Sequence, residues 1–495
     1  MKQTKIYLLS ACLATMAALG GCASNKPEKI TEIPVTTQSN EAKASVISGL
    51  ACQDQGDLQK TRALFAKATE QDPKCGIAWT LKALTDATNK DFADDLAKAK
   101  VNLEGASDYE KLYYDYVSTF ASSDWNKRLE VTKKIADAYP DAARAQADLG
   151  ATFSAGNQED KARECFAKAV SMTPGWAGGY AAMTNSYIFT APKDFKKAEE
   201  NALKLVEVAP SSSGAQISLG DCYRAQNDFP KARDAYAKAI TLDPAMSEPY
   251  YKKGHVESFL GSFDDARKSY TEAATHDETK SPAILNIGNT YLYADDYKAA
   301  LKWLNDQSAA LDASGESKDK ITADKFNCLS ICASIALHRN DMDALKDAVA
   351  KLEPLSTEMG AAVGTNEAVL QQKGNMLYWQ SVTAAASGNF DEAKAKAEEM
   401  KTTLDPVKDP NKLDGYEFAL GYMSMKQKNY ADAISHFEKT QQNNIYNKYW
   451  LAQANESAGN KEKAIALLKD ITDYNFNATG YALIRNDVKK KLAGS

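Results

Sequence analysis

The chain is short of what metal-dependent and nucleophilic catalysis require. Its four histidines, His255, His276, His338 and His436, are scattered, and no two stand in an H-x-x-x-H pair. That spacing points away from a helix-borne metal site. No Gly-rich phosphate loop, nucleophile elbow or zincin motif is present. Acid pairs such as Glu199-Glu200 and Glu398-Glu399 lie in helical sequence whose other face is apolar, which marks a solvated face rather than catalytic carboxylates. Neither enzymatic activity nor a cofactor is expected. An excess of positive charge is missing too: Lys+Arg 60 against Asp+Glu 66 gives −6, a sign unsuited to a nucleic-acid partner. No segment beyond the N-terminus is apolar and long enough to span a bilayer. Runs of β-branched residues are scarce and proline is sparing, whereas alanine is abundant, so an all-helical chain is expected. With 44% hydrophobic residues in 495, the chain can bury a long core.

What the chain has in plenty is internal repetition. Leu149-Gly150-Ala151-Thr152-Phe153 is followed by Ala162, Phe166, Ala169 and Pro174. The same order returns as Leu219-Gly220-Asp221-Cys222-Tyr223, then Ala232, Tyr236, Ala239 and Pro244. It returns again with Gly254, Ala266, Tyr270 and Ala273, and with Ile287, Gly288, Tyr291 and Ala300. Gly220, Gly254 and Gly288 are 34 residues apart, as are Ala198, Ala232, Ala266 and Ala300. Each residue type has a physical reason. The small residues let two antiparallel helices approach, and the aromatics fill the space between hairpins. Proline after the second helix stops it, and Gly156-Asn157, Asn227-Asp228 and Gly261-Ser262 mark turns within hairpins.

This phased pattern resembles the tetratricopeptide repeat (TPR) family, whose period is 34 residues. Repeats are placed from near residues 42, 76, 109, 143, 177, 213, 247, 281, 325, 374, 414 and 445. The resemblance implies a right-handed α-solenoid of stacked helix-turn-helix hairpins. A regular array is expected over 42–311 and looser TPR-like repeats over 312–477, with polar connectors at Ser314–Lys320, Leu355–Asn366 and Leu404–Asp414. A capping helix is expected over 478–495, shielding the last repeat. In the family, first helices line a concave groove. The resemblance places Asn185, Phe189, Asp221, Arg224, Tyr251, His255, Phe259, Asn289 and Tyr293 there, as candidate contacts for a partner protein segment. The competing reading is an ordinary inner surface whose aromatics stabilise the stack.

The N-terminus carries a different signal. Lys2 and Lys5 precede an apolar run from Ile6 to Leu19 that is too short for a comfortable membrane span. It ends in Leu19-Gly20-Gly21-Cys22, which resembles a bacterial lipobox. The resemblance implies a signal peptide over 1–21, cleavage before Cys22 and lipid attachment to it; an ordinary secretory leader with a chance cysteine is the rival. Cleavage would remove two lysines and no acids, leaving a net charge near −8. Residues 22–41 read as a flexible lipidated tether, with Pro27, Pro34 and little hydrophobicity.

Six cysteines would remain: Cys52, Cys75, Cys165, Cys222, Cys328 and Cys332. Their spacing matches no disulfide framework, and burial in the stack is the simpler account of Cys328 and Cys332. The function expected is an envelope lipoprotein, anchored at the outer membrane through Cys22, that acts as a TPR scaffold for other proteins. An outer-membrane lipoprotein that binds glycan nutrients, of the SusD-like kind, is the alternative. Its long loop-rich inserts are missing from this chain.

Overall fold

The computed structural model describes residues 30–86, 88–122, 124–277, 280–472 and 474–494. Cys22, the leader before it and the tether up to residue 29 lie outside the described residues. Among the described residues there are twelve successive helical hairpins and a final helix. The first four are α1(Asn40–Asp54) with α2(Leu58–Gln71), α3(Gly76–Ala83) with α4(Asn89–Val101), α5(Asp108–Ser122) with α6(Trp125–Ala138), and α7(Ala143–Ala155) with α8(Glu159–Met172). The next four are α9(Ala177–Phe189) with α10(Phe195–Val208), α11(Ser213–Ala225) with α12(Phe229–Leu242), α13(Glu248–Phe259) with α14(Phe263–Thr275), and α15(Ser281–Tyr293) with α16(Tyr297–Ala310). The last four are α17(Lys318–Arg339) with α18(Met342–Val363), α19(Asn366–Ala386) with α20(Phe390–Leu404), α21(Asp414–Lys426) with α22(Tyr430–Phe437), and α23(Ile445–Ser457) with α24(Lys461–Thr472). The helix α25(Thr479–Ala493) closes the chain. The fold is an all-α solenoid of stacked, TPR-like hairpins. No helix among the described residues is long and apolar enough to cross a membrane.

The repeated glycines are held by space. A Cβ on Gly220 would lie 2.5 Å from a Tyr236 ring carbon, and one on Gly254 at 2.5 Å from Tyr270. Gly150 meets Phe166 in the same way at 2.6 Å, so the second helix lays its ring across the first at the residue that lacks a side chain. At Gly288 the second helix brings Leu304, and the contact relaxes to 3.2 Å. Many second helices open on a capping aspartate: Asp57, Asp194, Asp228, Asp296 and Asp341 each accept from a backbone N–H of the first turn. The turn before them needs a left-handed residue, supplied by Asn157, Asn227 and Asp295 or by Gly261 and Gly388.

Beyond α16 the hairpins lengthen. Helices α17, α18 and α19 run for 22, 22 and 21 residues. The stretch from Leu355 to Val363, expected as a connector, is the second half of α18. Pro354 sits inside that helix. The half beyond it packs against α19, where the Ser356 hydroxyl donates to the Gln372 carbonyl at 3.1 Å. Tertiary contact overrides the local polar composition there.

The solenoid also touches itself at long range. The first hairpin docks on the middle of the array: Lys60 Nζ reaches Asp243 at 2.5 Å, and the Ser212 hydroxyl donates to the Gln55 carbonyl at 3.2 Å. Gly214 permits this, since a Cβ there would lie 1.9 Å from the Gln55 oxygen. Later, α18 packs on α4 and α19 on α5, and Lys408 pairs with Asp124 at 2.9 Å.

Candidate functional site: the concave channel

First helices line the inside of the array, and the residues expected in the groove are on them. They do not form one open surface. The segment Tyr474–Asn477 and helix α25 lie in the channel across α11, α13 and α15. Asn475 Nδ2 donates to Asn227 Oδ1 at 2.6 Å, and Asn477 Nδ2 donates to Asn286 Oδ1 at 2.5 Å. The Tyr293 hydroxyl donates to Asn477 Oδ1 at 2.7 Å. Between the two asparagines Phe476, 5% exposed, packs at 4.6 Å from the Phe189 ring, and the Arg224 guanidinium covers its other side at 4.6 Å. Further along, Tyr481 stands edge-on to Phe259 and Tyr293, and Arg485 donates to the Phe259 carbonyl at 3.2 Å.

Seven of the nine expected groove residues are therefore not free for a partner. Arg224 is 1% exposed and Tyr293 5%, and Asp221, Tyr251, Phe259 and Asn289 are also buried. His255 is half-buried behind Arg224, its Nδ1 2.9 Å from Nη1. For Phe259 and Tyr293 the physical reason is that α25 is amphipathic, with Tyr481, Ile484 and Val488 on one apolar face. Asp221 is held instead by Tyr236 and Lys252, and Tyr251 by Asp277. The helix expected to cap the last repeat does contact α23 and α24, and it also packs along α15.

Charges in the covered channel are paired with one another, although Arg224 Nε, His255 Nε2 and Asn289 Oδ1 are buried without a hydrogen-bond partner. Burial opposes the charge of Asp221, but Lys252, Arg224 and the Tyr236 hydroxyl outweigh it and hold the carboxyl below its ordinary range. Burial, then Arg224 and Lys252, push His255 well down, so it is a neutral imidazole accepting from Arg224.

Asn185 and Phe189 differ from the other seven. Both are exposed, Phe189 at 43% with its ring also against Phe476, and both line a cleft of about 500 Å³ that no described residue fills. Its walls are the concave faces of α7 and α9, and its inner end is α1. Small residues make the room: Ala147, Ala151, Gly178, Ala181 and Ala182. At the inner end Asp54 Oδ2 accepts from Arg144 Nη2 and from Trp176 Nε1, each at 2.6 Å. Glu32 Oε2 approaches Arg144 Nε at 3.5 Å. Burial, reinforced by Asp54 and Glu32 and only partly offset by Arg144, pushes the Asp148 carboxyl up to about 7.

The residues of this inner end were not among the expected site. A signal for them exists in the sequence: Arg144 and Asp148 are the charged residues on the inner side of an alanine-rich first helix. They stand six and two residues before Gly150, a glycine that sets the register. Elsewhere the chemistry is thin. Among the described residues no group of three or more His, Cys, Asp and Glu could hold a metal ion. Cys328 and Cys332 are buried free thiols that burial pushes up to about 12, alongside free Cys52, Cys75, Cys165 and Cys222.

Residues 193–247, which hold α10 and α11–α12, match the family model described as tetratricopeptide repeat. Comparison with curated proteins gives no match. Among solved structures the chain is similar to a thermophilic TPR protein of Thermus thermophilus, at 18% identity and TM-score 0.33, over 36% of this chain and 95% of that one. A TPR protein of Parabacteroides merdae aligns at 12% identity and TM-score 0.34, over 58% and 99%. Pseudomonas aeruginosa pilF aligns at 14% identity and TM-score 0.32, over 46% and 96%.

Proposed function

We propose that this protein is a lipid-anchored scaffold of the bacterial envelope, held at the outer membrane through Cys22, that grips a segment of a partner protein in the cleft between α7 and α9. The helical-repeat array offers an extended inner surface, one part of which no described residue fills. The observation that carries the reading is the contrast along the channel. Asn185 is exposed beside the cleft, and Phe189 keeps 43% of its surface open there although its ring also packs on Phe476. By contrast, Asp221, Arg224, Tyr251, His255, Phe259, Asn289 and Tyr293 are buried or half-buried. Phe189 offers an exposed ring for an apolar side chain, and Asn185 offers a donor and an acceptor for a peptide backbone.

Pull-down from membranes with a tagged, lipidated chain tests this. Ala151→Trp would fill the cleft from α7 without touching the covered half of the channel, so partner recovery should fall at least tenfold while helicity is unchanged. Equal recovery by parent and variant would rule out the cleft. For the anchor, Cys22→Ser should remove the lipid label and move the protein to the soluble fraction. Membrane retention without change would refute the lipobox.

A further inference from the structure

The inner end of the cleft is unbalanced in a way that specifies its ligand. One guanidinium, Arg144, faces three carboxylates, those of Asp54, Glu32 and Asp148. Asp54 is satisfied by Arg144 and Trp176, but the Asp148 side chain accepts no hydrogen bond, and its Oδ2 is buried without a partner. Gln53 Oε1, across the cleft on α1, is a second buried oxygen without a partner. Both are acceptors; the third buried orphan here, Arg144 Nε, is a donor that faces the Glu32 carboxylate at 3.5 Å. A buried acceptor left unmade costs about 1–3 kcal/mol, so a donor-bearing occupant gains more here than at an ordinary surface. Ala147, Ala151, Ala181 and Ala182 along the cleft are small and apolar, and the partly exposed Phe189 ring lies on the same lining. That lining suits a long methylene stem with a charged tip.

We infer that this cleft receives the basic side chain, a lysine ammonium or an arginine guanidinium, of the partner segment, with Asp148 and Gln53 as its acceptors. The inference rests on the scaffold reading of the same cleft and adds the chemistry of what enters it. A free polyamine has the same cationic tip. A protein segment is favoured because Asn185 and Phe189, exposed on the same lining, match a backbone and an apolar neighbour.

Titration follows. The groups around Asp148 are Arg144 on its own helix, Asp54 on α1, Glu32 before α1, and the buried hydroxyls of Tyr109, Tyr113 and Tyr116 on α5. Burial pushes the three tyrosines up, so they stay neutral. An entering cation favours ionised Asp148 and expels its proton, so binding strengthens as pH rises through 7.

The test is selection of random 12-residue displayed peptides on the full chain and on Ala151→Trp, with circular dichroism confirming both folds. The expected result is a set of cleft-dependent peptides sharing lysine or arginine at one position. Replacing that residue by norleucine should weaken binding at least tenfold. Asp148→Asn should do the same and should abolish the gain between pH 6 and 8, whereas Asp264→Asn, on the outside of α14, should change neither. Cleft-dependent peptides with no shared basic position would overturn the inference and leave the scaffold reading standing. No cleft-dependent peptide at all would remove both. Tight binding of spermidine to parent but not to Asp148→Asn, without peptide enrichment, would make the occupant a free amine and overturn the partner segment.

Discussion

The two halves of the concave channel are built from the same register of the same repeat and have opposite fates. On α11, α13 and α15 the inward positions carry Asp221, Arg224, Tyr251, His255, Phe259 and Tyr293, large groups of which Arg224, Phe259 and Tyr293 contact Tyr474–Asn477 or α25. On α7 and α9 they carry mainly Ala147, Ala151, Ala181 and Ala182, and no described residue fills the space. The difference teaches that a groove rich in aromatics and paired charges is not thereby a vacant one. In this chain, the half with the most to offer a ligand already holds an intramolecular one, and the half made of alanine is left for something else.

Five substitutions, two of them read as a pair, would break or sharpen the contrast, in falling order of effect. Phe476→Ala removes a buried ring that joins the tail to Phe189 and Arg224, and should cost about 3–5 kcal/mol by denaturant unfolding. A cost near zero would mean that the tail is not what holds the covered half shut. Gly254→Leu, driven into the Tyr270 ring, should cost about 1–3 kcal/mol or more. Gly150→Leu in the open half should cost a similar amount, because the contrast concerns the inner surface and not the hairpin interior. Unequal costs would mean that the two hairpins are not equivalently packed.

Asp148→Asn comes third. The folded chain keeps this carboxyl protonated up to about pH 7, whereas the unfolded chain loses the proton near pH 4. Between those values the folded state binds more protons, so Asp148 costs stability as pH rises through that window. The asparagine variant should therefore gain roughly 1–3 kcal/mol at pH 7 and less at pH 4, read from melting curves at both. A variant less stable than the parent at pH 7 would show that the charge is compensated. Smallest of all, Phe189→Ala on the cleft lining should change stability by about 0.5–1 kcal/mol or less, against the large cost at its neighbour Phe476.

The fold was legible because it is local. Gly150, Gly220 and Gly254 each reveal a helix crossing, and the helices in register with them begin at Ala143, Ser213 and Glu248. Each hairpin needs information only from itself and its neighbours. The occupied channel was not legible by the same means, since Asn475 and Asn227 are 248 positions apart. A period of 34 says which residues face inward and nothing about what they face. Tyr474-Asn475-Phe476-Asn477, polar and aromatic by turns just before the final helix, was the one local hint. The long α18 was hidden for a related reason, because Pro354 and the polar residues after it read as a connector until α19 packs against them.

The tail in the channel also has a consequence in time. A chain made from its N-terminus completes α11 to α15 well before Phe476 exists, and Tyr293 waits for a partner 184 positions later. At about 5–20 residues per second, synthesis leaves that interval roughly 10–40 seconds long. Throughout it Phe259, Tyr293 and Arg224 lack the cover that they have in the finished protein. The growing chain is thus, for a while, a different molecule from the mature one, with an apolar trough where the mature one is sealed. Any factor that attends its synthesis meets that trough first, and the segment from Tyr474 through α25 decides when it disappears.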